Sequence, residues 1–550
     1  MADINTKSKI DNGLLVVILL GVIFFVAYSY LASTLPGANI NQPEPILNSP
    51  DETANLFYTR QFAAHTRLSF IDPANFIAKD LVTPRSMRVI NSATVPAGFI
   101  GLPIIYGTLA KLTGVAAIPF FTPMLAVVGV VFFYLLIKLI FDPAVALFSA
   151  SLAYLFPGYW YYAEKGLMPN VVFAVFFIIA LYYFLKSFNR EKLLFYLLFG
   201  FFTALALMVR TSEIVWLGPL FLILLISNWK KINWPYLFGS LAIFLAVFSS
   251  IFYYNLQIYG SPFSVGYSLK YNLAENNILT QGLSLVQQIF LPFGLNIPLA
   301  LKNFYNYTFV IFPLWSVLIL SGFVTVLFHQ LFMAKKFWHQ KKFFSYIALL
   351  ALVGMYLIFY YGSWLFYDNP DPGAITIGTS YIRYWLLIYL FSLPFLAGAL
   401  NILLKRFTIA KSAVIIFIFT CLALISYKTV MLNGTESIVK VAKNLKNYQI
   451  LSELVNEQTE PNAVIVAGRM DKVFFPSRSV IFKLNVSADY DKIKELIQNG
   501  FPVYNFDFTL LPENFAYANT NTYSQYGLKL GKEKLKFGNQ SLYPIQKNDQ

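Results

Sequence analysis

The sequence predicts an α-helical polytopic membrane protein of about 11 transmembrane helices, with external juxtamembrane helices and a small C-terminal α/β soluble module. Three observations predict it. Charged residues make up only 12% of the 550 positions and hydrophobic ones 57%, whereas an ordinary soluble domain carries about 25% charged residues. Apolar runs of bilayer length, about 20 residues each, recur up to residue 430, and the mean hydropathy is +0.60. Beyond residue 430 the composition returns to that of a soluble domain. Together these exclude a cytosolic enzyme and a disordered chain.

The spans are expected near 14–35, 115–140, 143–162, 167–187, 193–209, 212–228, 234–257, 307–330, 343–362, 382–404 and 408–430. The first lacks a small-residue cleavage site and is too long for a signal peptide, so it is read as a retained helix. Orientation follows from the basic residues by the positive-inside rule. Lys7, Lys9, Lys138, Lys186, Arg190, Lys192, Lys230, Lys231, Lys335, Lys336, Lys341, Lys342, Lys405, Arg406 and Lys411 fall on one side. The opposite short connections hold Lys165, Arg210, Lys270 and Lys302. Residues 93–112 are apolar enough to span, but a crossing there would turn most of those basic loops outward. That stretch is therefore read as a helix lying along the outer interface. The chain is expected in the plasma membrane, with a cytoplasmic N-terminus and an extracytoplasmic C-terminus.

The expected organisation is a transmembrane catalytic domain over 1–430 and an extracytoplasmic α/β domain over 431–550, with large external loops at 36–114 and 258–306. In the C-terminal part, a helix at 436–457, a strand at Ala463–Ala467, a helix at 488–499 ending at Gly500 and a strand at 502–508 are predicted from alternating periodicity.

Several chemistries are set aside by composition. Cys421 is the only cysteine, and His65, His329 and His339 are far apart, which leaves no thiolate cluster or histidine metal site to expect. The net charge of +15 is mostly a topology signal, so nucleic acid is not an expected partner. No P-loop occurs, and with it goes nucleotide-driven transport.

The first external loop holds Ser49-Pro50-Asp51-Glu52. As local structure this is a helix start, with Ser49 as cap, Pro50 at the first position and two carboxylates favoured by the helix dipole. A carboxylate at a helix start just above a bilayer is also well placed to act as a base, and both readings hold together.

An Asp-Glu pair shortly after the first span, in a long external loop with juxtamembrane helices, resembles the GT-C superfamily of membrane glycosyltransferases. Within it the likeness is to the protein O-mannosyltransferases and the aminoarabinose transferase of lipid A. Further matches follow in order over roughly residues 10–430. Ala93 to Gly114 is similar to the family's interfacial helix. Tyr159 to Asn170 resembles the second external turn, where relatives carry Asp at the position of Asn170. Gly200 to Pro219, with Arg210 and Glu213, resembles a small-residue helix ending in an Arg and an acidic residue, here read as a structural ion pair. Tyr254 to Tyr267 is similar to the exit into the second large loop, and Tyr381-Ile382-Arg383-Tyr384 opens a late span.

The resemblance implies roles. Asp51, with Glu52 beside it, takes the place of the proposed catalytic base. Arg383 and Tyr384 take the place of the contact to a polyprenyl phosphate, although Arg383 alone also reads as an arginine snorkelling to headgroups. Lys79, Arg85 and Arg88 are further cations for that phosphate, or interfacial anchors. Glu164 and Asn170 are second-loop candidates, with Glu164 and Lys165 otherwise a solvated pair.

The expected activity is inverting transfer of a sugar from a polyprenyl-phosphate-linked donor to an external acceptor, in a pocket shared by Asp51 and Arg383. The acceptor is a protein, a glycolipid or a cell-wall polymer. No obligatory metal is expected, with Mg²⁺ or Mn²⁺ at the carboxylates left open. The alternatives are a transporter or flippase of a lipid-linked substrate, disfavoured by the near absence of acidic residues inside the spans, and a scaffolding protein that binds through its C-terminal module.

Overall fold

A computed structural model of the chain describes residues 11–34, 45–188, 192–266, 289–333, 337–369, 371, 373–405 and 411–548. Lys7, Lys9, Arg190, Tyr267, Lys270, Lys335, Lys336 and Arg406 lie outside the described residues, as does the stretch 267–288 of the second large loop. Of the eleven expected spans, eight are single helices long and apolar enough to cross a bilayer: Asn12–Thr34, Val115–Ile140, Pro169–Ser187, Trp234–Tyr259, Pro313–Phe332, Gln340–Gly362, Leu386–Leu404 and Lys411–Leu432. Two more, Leu193–Val209 and Thr211–Ser227, form a pair bent by 119°. The remaining expected span, 143–162, is broken. Helix Pro143–Leu155 stops at Phe156 because Pro157 forces the preceding residue out of the helical region, and a second helix, Pro157–Glu164, follows.

The chain forms two compact units. The first comprises Met1–Ala32, Phe120–Ser249 and Asn272–Lys440, and the second Ser33–Pro119, Ser250–Tyr271 and Val441–Gln550.

In the first unit, helix Pro169–Ser187 is the hub. It is buried over 83% of its most apolar window, against 17% for Lys411–Leu432, which keeps its apolar face outward for lipid. Close helix contact depends on small residues: a Cβ on Gly200 would sit 2.1 Å from the Ser240 carbonyl oxygen. The Asp11 carboxylate, just before the first helix, accepts hydrogen bonds from Lys138 Nζ at 2.6 Å and Tyr134 at 2.9 Å, near the end of the second. The first two spans are therefore antiparallel, and the segment between them begins and ends on one side of the membrane. Lys342 Nζ reaches the Leu139 carbonyl, which puts that basic loop on the same side as Lys138.

In the second unit, helix Pro50–His65 packs on helix Gly101–Thr113, and a Cβ on Gly107 would meet Phe62 Cβ at 2.7 Å. Three short strands, β1 (Phe70–Ile71), β2 (Met87–Ile90) and β3 (Ala93–Pro96), form an antiparallel sheet in the order β1-β3-β2. The β2–β3 turn places Asn91 and Ser92 both at positive φ, as a two-residue hairpin of the I′ type requires. The stretch 93–112, expected as one interfacial helix, is thus a strand followed by a helix. At 13 residues, or about 20 Å, that helix is too short to span.

The C-terminal part adds β4 (Val464–Val466), β5 (Ser479–Ile481), β6 (Val503–Phe508), β7 (Leu528–Leu530), β8 (Leu535–Phe537) and β9 (Gln540–Lys547). They form a mixed sheet in the order β5-β4-β6-β9-β7, with β8 on β9 and with β4 parallel to both neighbours. The predicted helices and strands of this region lie within two residues of Ile438–Gln458, β4, Ser487–Gln498 and β6. The first loop is built into the same core. Ala74, Ala78 and Val82 pack with Val464, Ile481, Leu496 and Val503, and Thr83 makes a parallel bridge to Ile481.

Candidate active site

The helix Pro50–His65 begins as its sequence demands. Ser49 is extended, its Oγ accepts from the Asp51 amide at 3.2 Å, and the Glu52 carboxylate accepts from the Ser49 amide at 3.1 Å. This reciprocal cap separates the two acids of the pair. Glu52 is buried in its own helix start, whereas half-buried Asp51 accepts a 2.6 Å hydrogen bond from Ser86 Oγ.

The cations of the first loop are placed differently from one another. Arg85 is committed to Asp471, donating from Nε at 3.0 Å and from Nη2 at 2.6 Å, with a further bond from Nη2 to the Arg469 carbonyl at 2.7 Å. Arg88 lies in β2 opposite Val95 and exerts its charge on Tyr259, and Lys79 is exposed just after a single helical turn.

In the first unit, Arg383 sits in the helix Ser380–Tyr384, whose first amide donates to Asp368 Oδ2 at 2.7 Å. That carboxylate offsets the unfavourable placement of a cation near a helix N-terminus. The guanidinium is buried. It donates from Nη1 to Met168 Sδ at 2.7 Å and from Nη2 to Ser380 Oγ at 2.8 Å, and its Cζ lies 5.3 Å from the Tyr384 ring centre.

Around it gathers a second cluster, at the bend between Leu193–Val209 and Thr211–Ser227. Arg210 donates to Glu213 at 2.7 Å and to the Tyr361 hydroxyl at 2.8 Å, and Tyr361 in turn donates to Glu213 at 2.6 Å. The Trp216 indole donates to the other Glu213 oxygen, and Arg210 also faces the Tyr384 ring at 4.8 Å. Arg383, Arg210, Glu213, Tyr384 and Asn170 line one small cavity of about 10 Å³. That is room for a single water-sized body, between two guanidinium groups and one carboxylate.

An apolar groove of about 110 Å³ adjoins this cavity and shares Trp216, Leu357 and Leu387 with its lining. Helical spacing builds the groove: Phe177, Leu181 and Leu185 on one helix face Leu220 and Leu224 on another. The run from Trp216 to Leu224 is about 12 Å deep at 1.5 Å per residue.

Of the second-turn candidates, Asn170 joins the Arg383 cavity and Glu164 is not among its lining residues. Glu164 is buried, and neither of its oxygens meets a hydrogen-bond partner of good geometry. Burial pushes its carboxyl well above the usual range, against the opposing pull of Trp160 and Lys165. Lys165, expected to be solvated, is buried too, with its ammonium 4.8 Å from the Tyr161 ring centre.

Residues 103–254 match the family described as dolichyl-phosphate-mannose-protein mannosyltransferase. The fold is similar over nearly the whole chain to ArnT from Cupriavidus metallidurans. The form of that protein bound to undecaprenyl phosphate aligns with a TM-score of 0.52 at 10% identity, covering 98% of both chains. Its apo form gives 0.51 at 11% identity, covering 96% of this chain and 97% of that one. The chain therefore has the fold of ArnT. The apo oligosaccharyltransferase of Archaeoglobus fulgidus is also similar, with a TM-score of 0.51 at 12% identity, covering 95% of this chain and 71% of that one. No curated protein sequence matches this chain.

Among the described residues, no three His, Cys, Asp or Glu side chains come together as metal ligands. Of the pair left open for Mg²⁺ or Mn²⁺, one Glu52 oxygen is taken up by the Ser49 amide in the helix cap. Sequence reasoning placed Arg210 and Glu213 as a structural ion pair, which they are, but missed that the pair lines the Arg383 cavity. The available signal was two charges and two hydroxyl residues between apolar helices, a pattern expensive in a membrane unless it faces a site.

Proposed function

We propose that this chain transfers one sugar, with inversion, from a polyprenyl-phosphate-linked donor to an acceptor at the external membrane face. The observation that carries the reading is the placement of two guanidinium groups around a cavity of single-water size that shares part of its lining with an apolar groove. A phosphate enters by displacing the weak partners of Arg383 while its tail takes the groove. Guanidinium groups bind phosphate oxygens bidentately, and a groove walled by helices suits an isoprenoid. Arg383 binds the donor phosphate, Arg210 adds a fixed positive field, and Tyr384 packs between them.

As the bond from the anomeric carbon to the phosphate oxygen breaks, its electron pair goes to the departing polyprenyl phosphate. The acceptor oxygen forms the new bond on the opposite face of the sugar and gives its proton to Asp51. Charge grows on the phosphate during this step, so buried cations stabilise the transition state more than the ground state. The acceptor is a protein hydroxyl, a glycolipid or a cell-wall polymer.

The test is turnover in membranes supplied with donor and acceptor. Asp51→Asn is expected to lower kcat by about 100- to 1,000-fold with donor binding intact. Near-normal turnover of a folded Asp51→Asn protein sinks the base assignment. A transporter would use the same bent helix pair, but would move donor without releasing sugar-free polyprenyl phosphate.

A further inference from the structure

The C-terminal sheet runs β5-β4-β6 with all three strands parallel, so the chain order is second, first, third. In open parallel sheets of this kind the crevice beyond the strands' carboxyl ends, where the order reverses, is the ordinary ligand site. The loop leaving β4, from Ala467 to Lys472, occupies that end. What it holds is the segment between the first two spans. Arg85 donates from its backbone amide and its guanidinium to Asp471, whose side chain is fully buried, and from Nη2 to the Arg469 carbonyl.

The next residue, Ser86, donates to Asp51 at 2.6 Å from a left-handed backbone with φ of 62°. A serine at positive φ is uncommon and is retained where its surroundings impose it. Here Arg85 is fixed on one side and β2 begins at Met87 on the other. The connection from β4 to β5 also reaches the Asp51 helix directly. Lys472 Nζ donates to the Asn48 carbonyl, one residue before the cap, and the Phe475 ring packs 5.1 Å from Phe57 and 6.0 Å from Phe70.

We propose that the C-terminal module is a positioning device for Asp51: its strand-end crevice takes Arg85 as an internal ligand, and Ser86 passes that constraint to the carboxylate. The inference rests on Asp51 acting as base. Ser86, Arg85 and Asp471 are then positioning residues that touch neither donor nor acceptor. A carboxylate released from this constraint samples orientations that do not face the acceptor proton, and misplacement by about 1 Å costs on the order of 100-fold in rate.

The experiment uses the full-length protein in nanodiscs, with kcat and donor KM measured separately. Ser86→Gly removes the hydroxyl while keeping the positive φ accessible, and Asp471→Asn weakens the anchor without changing its shape. Each is expected to lower kcat about 10- to 100-fold with donor KM unchanged. Combined with Asp51→Asn, neither should lower kcat further, because the group they position is gone. A purely structural role would instead lower activity equally in both backgrounds. Wild-type kcat in a folded Ser86→Gly protein, or further loss in the Asp51→Asn background, overturns the proposal. If Asp51→Asn alone leaves turnover intact, the base reading fails first, and that result is read separately from the other two variants.

Discussion

Arg383 gives one of its guanidinium nitrogens to the thioether of Met168, across 2.7 Å. A thioether is a weak acceptor, and another bond goes to a neutral hydroxyl, that of Ser380. A phosphate oxygen outcompetes both, because it is an anionic acceptor that pairs with the guanidinium charge and can be held bidentately. Met168→Leu, which keeps the volume and removes the sulfur, is expected to lower the donor KM by about 2- to 3-fold, since the donor no longer displaces a partner. Steady-state kinetics over a donor series at fixed acceptor measures it, and a raised KM contradicts the exchange.

The guanidinium itself matters for its shape as well as its charge. Arg383→Ala is expected to raise the donor dissociation constant by about 10- to 100-fold, the range for a hydrogen bond to a charged group. Arg383→Lys should recover only part of that loss, because an ammonium is a point charge without the planar fork. Direct binding of a polyprenyl phosphate to the purified variants decides it. Equal affinity in the alanine variant and the parent removes Arg383 from the phosphate site.

The Arg210–Glu213 pair is buried, with side-chain exposures of 6% and 5%, so removing one partner strands the other. Glu213→Leu should therefore destabilise the protein by about 3–5 kcal/mol, while Arg210→Met combined with Glu213→Leu costs less than the single change. Thermal denaturation in detergent reports the stability of each. If donor binding also falls in the stable double variant, Arg210 contributes to the phosphate site and not only to the helix bend.

The local parts of this architecture were legible because their causes are local. Ser49, Pro50 and Glu52 fix a helix start within four residues, and the span helices announce themselves by unbroken apolar runs. The spacing of Tyr381, Arg383 and Tyr384 likewise marks one helical turn. What was not legible depends on distant partners. Arg85 reads as a loose cation until Asp471, 386 residues away, is brought to it. Residues 74–82 read as a loop because the strands they pack against, β4 and β5, have three residues each, too few to show a period. The bend at Arg210 looked like a junction between two spans, and only the approach of Tyr361 and Tyr384 from later helices turns it into the wall of a site.

Turnover is expected to persist in EDTA. In the proposed reaction Arg383 and Arg210 supply the charge that a divalent cation would otherwise bring to the leaving phosphate, and one of the two carboxylates best suited to hold such a cation, Glu52, is spent on its own helix cap. Assay after exhaustive chelation, with Mg²⁺ and Mn²⁺ added back, measures this. Loss of activity on chelation with recovery on add-back assigns a metal role to Asp51 in place of the proton transfer argued for it.

The groove offers a separate test of where the tail of the proposed donor lies. Gly354 lines it, and a Cβ built there finds only Ile388 Cγ1, at 4.0 Å. The position is therefore open toward the groove, and a larger apolar side chain fits the helix without a clash at its root. Replacing glycine in a helix interior also removes a cost of about 1 kcal/mol relative to alanine, so Gly354→Leu should fold at least as well as the parent. The added side chain would fill space otherwise taken by the isoprenoid. The expected outcome is a donor KM raised by 10-fold or more for a long prenyl chain, on the order of the 1–3 kcal/mol lost per displaced apolar contact. A short-chain analogue whose tail ends above Leu357 should be unaffected. Equal sensitivity of the two donors, or of neither, would place the tail elsewhere on the protein.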